Sequence, residues 1–348
     1  MTSPSRWWGP HLDDEQRGLQ EMLDAFISSH DLVLSDDPAQ VAGLVSAIAD
    51  LGVWTLGTAE AAGGGGAGHA TTTVALERLG RAWPALGWAS VQAHAAVDCL
   101  AQDGRFNGLV AQLHAGAAGV AVVDADSVHV HLDIEGDTVR GSVDRVDAAA
   151  ERPHLLVLTG DRAVLVEPAA MTRTPLHRTG FSGALTCAVD VDASGAEVHS
   201  MAGVNVAAAR VRLRLGAAAV AAGIAGAAGD AAADYAASRH QFGAPLTALP
   251  TMRQSLIDQA GAAAVILGAV LAADGDAIQA AAVLQRACDT AIEVGAAALQ
   301  SHGGYGYLAE YAAERRLRDA VSLRAATDTL GAQTTAARML VGAVRGEA

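Results

Sequence analysis

The spacing of apolar residues changes twice along this chain of 348 residues, and that change restricts the fold more than any other feature. In the first part, apolar side chains recur three and four residues apart, as at Leu19, Leu23 and Phe26, which indicates amphipathic helices. From about residue 119 they alternate, as in Val128–Leu132, which indicates short strands, and then helical spacing returns. The pattern predicts an α+β, mainly α protein with a helical part, a small antiparallel barrel or sheet, and a helical bundle. The predicted domains are a helical N-terminal domain at 1–117, a middle β domain at 118–202 and a C-terminal helical bundle at 203–348.

Composition narrows the classes of function. The chain is 51% hydrophobic and only 4% aromatic, so it can form a large core built mainly from aliphatic residues. All 23 basic residues are arginine, which excludes any mechanism that needs a lysine. The formal net charge of -15 predicts no binding to nucleic acid, because phosphate backbones would be repelled.

Membrane insertion and export are not expected from the sequence. The Ala-rich stretch after Gly216 is interrupted by Asp230 and Asp234 before it reaches the roughly 20 apolar residues that a span requires. Met1–Pro10 shows no apolar segment with a small-residue cleavage site, so a cytoplasmic protein is predicted.

Neither a disulfide framework nor a metal site is predicted. Cys99, Cys187 and Cys288 are far apart and odd in number, so buried reduced thiols are expected. No two histidines fall at metal-ligand spacing with a carboxylate, and His302, beside a glycine turn, is expected to have a surface or packing role.

Two short motifs at predicted helix ends combine polar side chains with glycine. In the first, Arg239, Gln241 and Phe242 stand together where a helix stops before Gly243. Taken alone, this motif also fits a solvated helix end.

The second motif has a related composition. Gln300 closes an alanine-rich helix, and Gly303, Gly304 and Gly306 follow it. Glycines there would let the backbone approach a ligand closely, although a C-cap and a turn between two helices would use them equally well.

Together the motifs resemble the acyl-CoA dehydrogenase family, and the resemblance extends over nearly the whole chain. The segments that carry it in the C-terminal part are Arg239-x-Gln241-Phe242-Gly243, Gln300-x-x-Gly303-Gly304-x-Gly306-Tyr307 and Arg318-Asp319-Ala320. The N-terminal part agrees in Leu51–Trp54 and Leu76–Ala82. The resemblance implies an N-terminal helical domain, a middle antiparallel β domain and a C-terminal four-helix bundle.

The resemblance also implies a chemistry and a cofactor. Members of this family oxidise acyl thioesters with FAD: a carboxylate removes the α-proton while hydride leaves the β-carbon for the flavin. In the family, the two motifs reach the adenine dinucleotide end of an FAD that is held mainly by the neighbouring subunit, and an arginine fork suits its diphosphate. The cofactor-binding residues carried over by position are Arg239, Gln241, Phe242, Gln300, Gly303 and Gly304.

The catalytic base of the family is missing from its usual places. The family glutamate lies nine residues after the motif arginine in a Glu-Gly-Thr triplet, and counting from Arg318 places Thr327-Asp328-Thr329 there. Some relatives carry the base on the preceding long helix instead, at the position of Leu213. Neither position holds a glutamate.

The loops that hold the flavin ring in the family also differ here. Val122–Ser127 stands in place of a Thr-Glu-Pro-x-x-Gly-Ser-Asp-like loop, and Val143–Asp147 replaces a Trp-x-Thr-Asn-like segment. Hydrogen bonds from this chain to the ring of its own flavin are therefore not expected.

The leading hypothesis is a non-catalytic subunit of a heteromeric, actinobacterial-type acyl-CoA dehydrogenase. A homologous partner with the glutamate would supply the base in a heterodimer or an α2β2 tetramer, and the two chains would share FAD and act on an acyl thioester.

Two alternatives stay open. An autonomous acyl-CoA or acyl-carrier-protein dehydrogenase, or a related flavoenzyme, could use Asp328 as a relocated base, although aspartate is one methylene shorter than glutamate. A non-enzymatic acyl-thioester-binding or assembly module would need no flavin, but it leaves Arg239 unexplained.

Overall fold

The N-terminal part of the protein is helical, as the apolar spacing predicts. A computed structural model describes residues 6–30, 32–241 and 243–345. The side chain of Asp13 accepts a hydrogen bond from the Gln16 N–H and begins the first helix, and Asp37 with Pro38 begins the second. The helices of this part are α1 Asp14–Ser29, α2 Pro38–Asp50, α3 His69–Ala82, α4 Pro84–Leu100 and α5 Asn107–His114.

The middle part contains two four-stranded sheets. One has the strand order β1-β4-β5-β8 and the other β2-β3-β7-β6. Alternating residues such as Val139, Val157 and Val164 lie between the sheets in a shared core. The strands are β1 Val120–Asp124, β2 Val130–Glu135, β3 Thr138–Val146, β4 His154–Thr159, β5 Arg162–Val166, β6 Met171–Pro175, β7 Cys187–Ser194 and β8 Val198–Ala202.

One strand pair departs from the antiparallel arrangement that the resemblance implies. β1 and β4 run parallel, with Val120 opposite His154 and Asp124 opposite Leu158, whereas the other pairs of these two sheets are antiparallel. The intervening hairpin of β2 and β3 belongs to the other sheet, so the chain re-enters beside β1 in the same direction.

The C-terminal part is a bundle of α6, α7, α8 and α9, with α10 packed against α8. A short hairpin of β9 and β10 links α6 to α7. The elements are α6 Val206–Ser238, β9 His240–Gln241, β10 Ala244–Pro245, α7 Pro250–Ala272, α8 Ala277–His302, α9 Ala313–Ala326 and α10 Thr329–Arg345. β1 begins three residues after the predicted domain boundary at 117, and α6 begins four residues after the predicted boundary at 202. The division of the chain into domains stays a prediction.

Small residues set the distance between α6 and the N-terminal helices. A Cβ added to Gly223 would overlap the Glu77 carbonyl oxygen, and one added to Gly80 would overlap that of Val220. The Ala- and Gly-rich composition of α6 therefore allows α3 to pack against its backbone.

Among the described residues, two helices, α6 and α7, are long and apolar enough to cross a membrane by length and composition alone. In α6 the relevant window is 89% buried, which is what the core helix of a folded protein shows. In α7 only 33% is buried. Cys99, Cys187 and Cys288 are all free, and all three are buried, as the sequence predicts.

Candidate functional site

The structure brings the two glycine motifs together in one open cavity of about 500 Å³. α6 ends at Ser238, so Arg239 stands at its C-cap, and Gly243 turns the following hairpin with a φ of 82°. α8 ends at His302, where Gly303 has a φ of 58° that favours glycine. The predicted residues that line this cavity are Arg239, Gln241, Gln300, Gly303 and Gly304, whereas Phe242 lies outside the described residues.

Arg239 carries a buried hydrogen-bond donor that the described part of the chain leaves unmatched. Its Nε is buried without a partner, and its guanidinium lies 4.7 Å from the ring centroid of Tyr305. None of the carboxylates in the described residues forms a salt bridge with it. A guanidinium held this way can donate to an anionic oxygen that arrives from outside the chain.

The two glycines keep the cavity open on its other side. A Cβ added to Gly303 or Gly304 would meet no described atom within 4 Å, and both glycines are exposed. Gln300 is also exposed at the end of α8. The rim thus offers side-chain amides and accessible backbone to a ligand.

The rings of Tyr235, His302 and Tyr305 line this cavity, and Tyr311 packs against them. The ring of Tyr235 stacks on His302 with centroids 4.4 Å apart, and Tyr311 meets Tyr235 edge-on at 5.5 Å. His302 is buried, its Nδ1 bonds the Ala298 carbonyl at 2.7 Å, and burial lowers its pKa, which is compatible with a packing role. In the described residues no group of three or more potential ligands could hold a metal ion. Tyr235 was missed by sequence reasoning, although it lies four residues before Arg239 on the same helix.

A second site joins the positions at which the family pattern is lost. Loop residues after β1, the end of β3, Leu213 on α6, and Thr327 with Asp328 all line one small cavity of about 110 Å³. Buried Trp88 forms part of its wall.

At the expected position of the base, the Thr327 hydroxyl and the Asp328 carboxylate form hydrogen bonds with nearby residues. The Thr327 hydroxyl lies 3.3 Å from the Arg324 carbonyl oxygen and 3.1 Å from the Thr329 hydroxyl. Asp328 has a φ of 42°, a conformation that a glycine adopts more readily, and its Oδ1 accepts the Gly331 N–H at 3.2 Å. Its carboxylate therefore caps the first turn of α10.

Arginine side chains line the second cavity, and two of them join the β domain to the helices. Arg210 on α6 donates from Nε to Asp124 at the end of β1, at 2.6 Å. Arg145 on β3 donates from Nη2 to the Ser322 carbonyl on α9, at 3.0 Å. Arg214 also lines the cavity, and its burial lowers its pKa.

Sequence reasoning did not identify Arg210, Arg214 or Trp88 as part of the site, and it named Arg145 only within the segment Val143–Asp147. The spacing of Arg210 and Arg214, which are four residues apart on either side of Leu213, was the available signal. Their partners lie on elements distant in sequence, so the spacing alone could not name them.

Comparison with known proteins places the chain in a family. The model of the acyl-CoA dehydrogenase N-terminal domain matches residues 13–105, and that of the acyl-CoA dehydrogenase C-terminal domain matches residues 202–334. The chain belongs to the acyl-CoA dehydrogenase family.

Similar proteins agree with this assignment. An acyl-CoA dehydrogenase of Bacillus subtilis is 40% identical over 128 residues, and the match spans 35% of this chain and 32% of that protein. The butyryl-CoA dehydrogenase of Megasphaera elsdenii has a similar structure, with a TM-score of 0.77 and 20% identity over 96% of this chain and 99% of that one. The structure of PigA with FAD and proline is also similar, with a TM-score of 0.79 and 16% identity over 95% of this chain and 98% of that one. The solved structures confirm the acyl-CoA dehydrogenase fold.

Proposed function

We propose that this chain is a subunit of a heteromeric acyl-CoA dehydrogenase that completes the FAD site of a homologous, glutamate-bearing partner and itself carries no catalytic base. The contrast between the two cavities carries the proposal. The Arg239 cavity is open and presents an unmatched donor, whereas the cavity at Thr327 is small and is lined by arginines that already bond to other parts of the chain.

The residues of the Arg239 cavity fit the adenine dinucleotide end of FAD. The guanidinium of Arg239 would donate to a diphosphate oxygen, which would satisfy its buried Nε. The amides of Gln241 and Gln300 would orient the nucleotide, and Gly303 with Gly304 would let it approach the backbone. FAD, when bound, supplies the hydride acceptor for dehydrogenation.

The cavity at Thr327 does not fit a flavin ring. Its volume of about 110 Å³ is below the roughly 300 Å³ at which ligand pockets begin. The Arg210–Asp124 pair and the bond from Arg145 to Ser322 would both have to break for the β domain to separate from the helices. We therefore assign no chemical step to this cavity.

Within the complex, this chain would bind and orient while the partner carries out the proton transfer. The partner's glutamate would take the α-proton of an acyl thioester, and the nucleotide end of the shared FAD would rest against Arg239. A heterodimer or an α2β2 tetramer in the cytoplasm would satisfy this arrangement, with no nucleic acid or membrane involved.

Co-expression with a glutamate-bearing homologue tests the proposal. The chain alone is expected to purify without flavin absorbance, and the complex to be yellow and active. Arg239→Ala should raise the Kd for FAD of the complex by roughly 10- to 100-fold, the loss expected for a hydrogen bond to a charged group. Arg239→Lys keeps the charge but not the fork and should recover part of the loss.

Arg286→Ala serves as a matched control, because Arg286 lies on α8, is 63% exposed, and does not line the Arg239 cavity. This variant should retain FAD like the unmodified complex. Equal retention of FAD by Arg239→Ala would contradict the shared site, and flavin bound stoichiometrically by the chain alone would contradict the assignment of its own cavity.

A further inference from the structure

Arg214 lines the second cavity, and no carboxylate in the described part of the chain forms a salt bridge with it. The other two arginines of this cavity are paired. Arg210 donates to Asp124 from Nε at 2.6 Å and from Nη2 at 3.2 Å, and Arg145 donates to Asp147 at 2.5 Å. The one hydrogen bond that Arg214 forms with described residues is long, at 3.4 Å from Nη1 to a backbone carbonyl at the start of α8. Its guanidinium therefore keeps most of its donors for other groups.

The carboxylates nearest to Arg214 are already bonded to other donors. Asp124 accepts both hydrogen bonds from Arg210, and the Oδ1 of Asp328 accepts the Gly331 N–H at 3.2 Å. Burial lowers the pKa of Arg214, and the negative charges of Asp124 and Asp328 offset only part of this effect. An anion that enters the cavity would stabilise the half-buried guanidinium.

Much of the remaining wall of the cavity is apolar. Trp88 and Leu284 are buried, and Leu213 lies beside Arg214 on α6. The hydroxyl of Ser127 also lines the cavity and can donate a hydrogen bond. A ligand that is polar on every side, such as inorganic phosphate, would leave the apolar wall without a partner. The lining favours an anion that carries an apolar part.

The volume of the cavity limits the size of this ligand. It is about 110 Å³, whereas a water molecule needs roughly 10 to 15 Å³ and an apolar cavity of about 150 Å³ admits benzene. The cavity therefore has room for about four to six non-hydrogen atoms. A flavin or a nucleotide is too large for it, and a short aliphatic acid is not.

We propose that the second cavity binds a short aliphatic carboxylate of about four carbon atoms, with the carboxylate on Arg214 and the chain against Trp88 and Leu213. The planar fork of arginine matches a carboxylate through two parallel hydrogen bonds. Recognition would depend on a full negative charge, which the carbonyl of a thioester does not carry. This site is independent of the FAD proposal, because Arg239 lies in the other cavity.

Titration of the purified chain with sodium butyrate, at constant ionic strength, tests the proposal. Trp88 lines the cavity, so its fluorescence should change as butyrate binds. Isothermal titration calorimetry should give a Kd on the order of 1 mM, a value within reach of a ligand this small. Butylamine, which has the same chain and the opposite charge, should not bind.

Substitutions separate the role of the charge from that of the apolar wall. Arg214→Met removes the charge and should raise the Kd for butyrate by at least about 10-fold, and Arg214→Lys should recover part of the loss. Ala326→Leu would fill part of the cavity and should also weaken binding while the charge stays in place. Arg286→Met is a matched control, because Arg286 is 63% exposed and outside the cavity lining, and it should bind butyrate like the unmodified chain.

Circular dichroism checks that each variant is folded, and four results would overturn the proposal. The first is the absence of saturable binding at butyrate concentrations about ten times the expected Kd. The second is equal affinity for butylamine, and the third is tighter binding of inorganic phosphate than of butyrate. The fourth is an unchanged Kd in Arg214→Met, or in Ala326→Leu if Arg214→Met does not fold.

Discussion

Protonation of His94 is expected to destabilise the N-terminal part of the protein. His94 lies on α4, where its Nδ1–H donates to the Ser90 carbonyl at 2.7 Å and its Nε2 accepts the Gly57 N–H at 3.0 Å. This arrangement requires the neutral ring, because a second proton on Nε2 would point at the Gly57 N–H. Burial lowers the pKa of His94 to about 4.

The sign and size of the effect follow from that pKa. Because the folded pKa lies below the value of 6.5 for an unfolded chain, the unfolded state takes up a proton that the folded state does not. The full contribution of the neutral His94 ring to the free energy of unfolding is present above pH 6.5 and is lost as the pH falls toward 4. At 1.36 kcal/mol per pH unit it amounts to about 3 kcal/mol, most of which is lost between pH 7.5 and 4.5.

Urea unfolding followed by tryptophan fluorescence measures this loss, since Trp54, Trp83 and Trp88 are buried in the same part of the protein. The control is His94→Gln, which does not titrate in this range. Other groups contribute to the pH dependence of both proteins, so the difference between the two slopes isolates His94. If both proteins lose the same free energy of unfolding between pH 7.5 and 4.5, the reasoning from the buried neutral ring is refuted.

Two further predictions concern Asp328 and the α3–α6 contact. Asp328→Asn should keep the hydrogen bond that caps α10 at Gly331 and should leave any activity of the complex unchanged. Asp328→Ala should lower the free energy of unfolding by about 1 kcal/mol in a thermal or urea assay. Loss of turnover in Asp328→Asn would instead favour Asp328 as the relocated base. Gly223→Ala should destabilise the protein by about 1 to 3 kcal/mol, because its Cβ would overlap the Glu77 carbonyl. Gly18→Ala, at an open position on α1, should be neutral or stabilising, and a similar loss in both variants would contradict the close approach.

Local patterns predicted the fold well where one element determines its own structure. The helical spacing of Leu19, Leu23 and Phe26 lies within α1, and the alanine-rich helix that Gln300 was expected to close is α8. The parallel pairing of β1 with β4 could not be predicted, because it depends on which sheet takes the intervening hairpin.

In the candidate site, too, local features were predicted and contacts between distant residues were not. The motifs placed Arg239 and Gln300 correctly at helix ends, since glycine and helix termination leave a local signal. The partners of Arg145 and Arg210 lie 177 and 86 residues away, and nothing in the sequence links them. Trp88 is likewise a wall residue only once α4 and α6 pack together.

The unmatched Nε of Arg239 has a consequence for assembly. A buried donor without a partner costs about 1 to 3 kcal/mol, and the isolated chain bears that cost. An anionic ligand that reaches the donor from a neighbouring subunit removes the cost only while the two chains are together. Cofactor occupancy and subunit affinity would then be thermodynamically linked, so each would strengthen the other by the same factor. Depleting the cofactor should therefore promote dissociation of the complex.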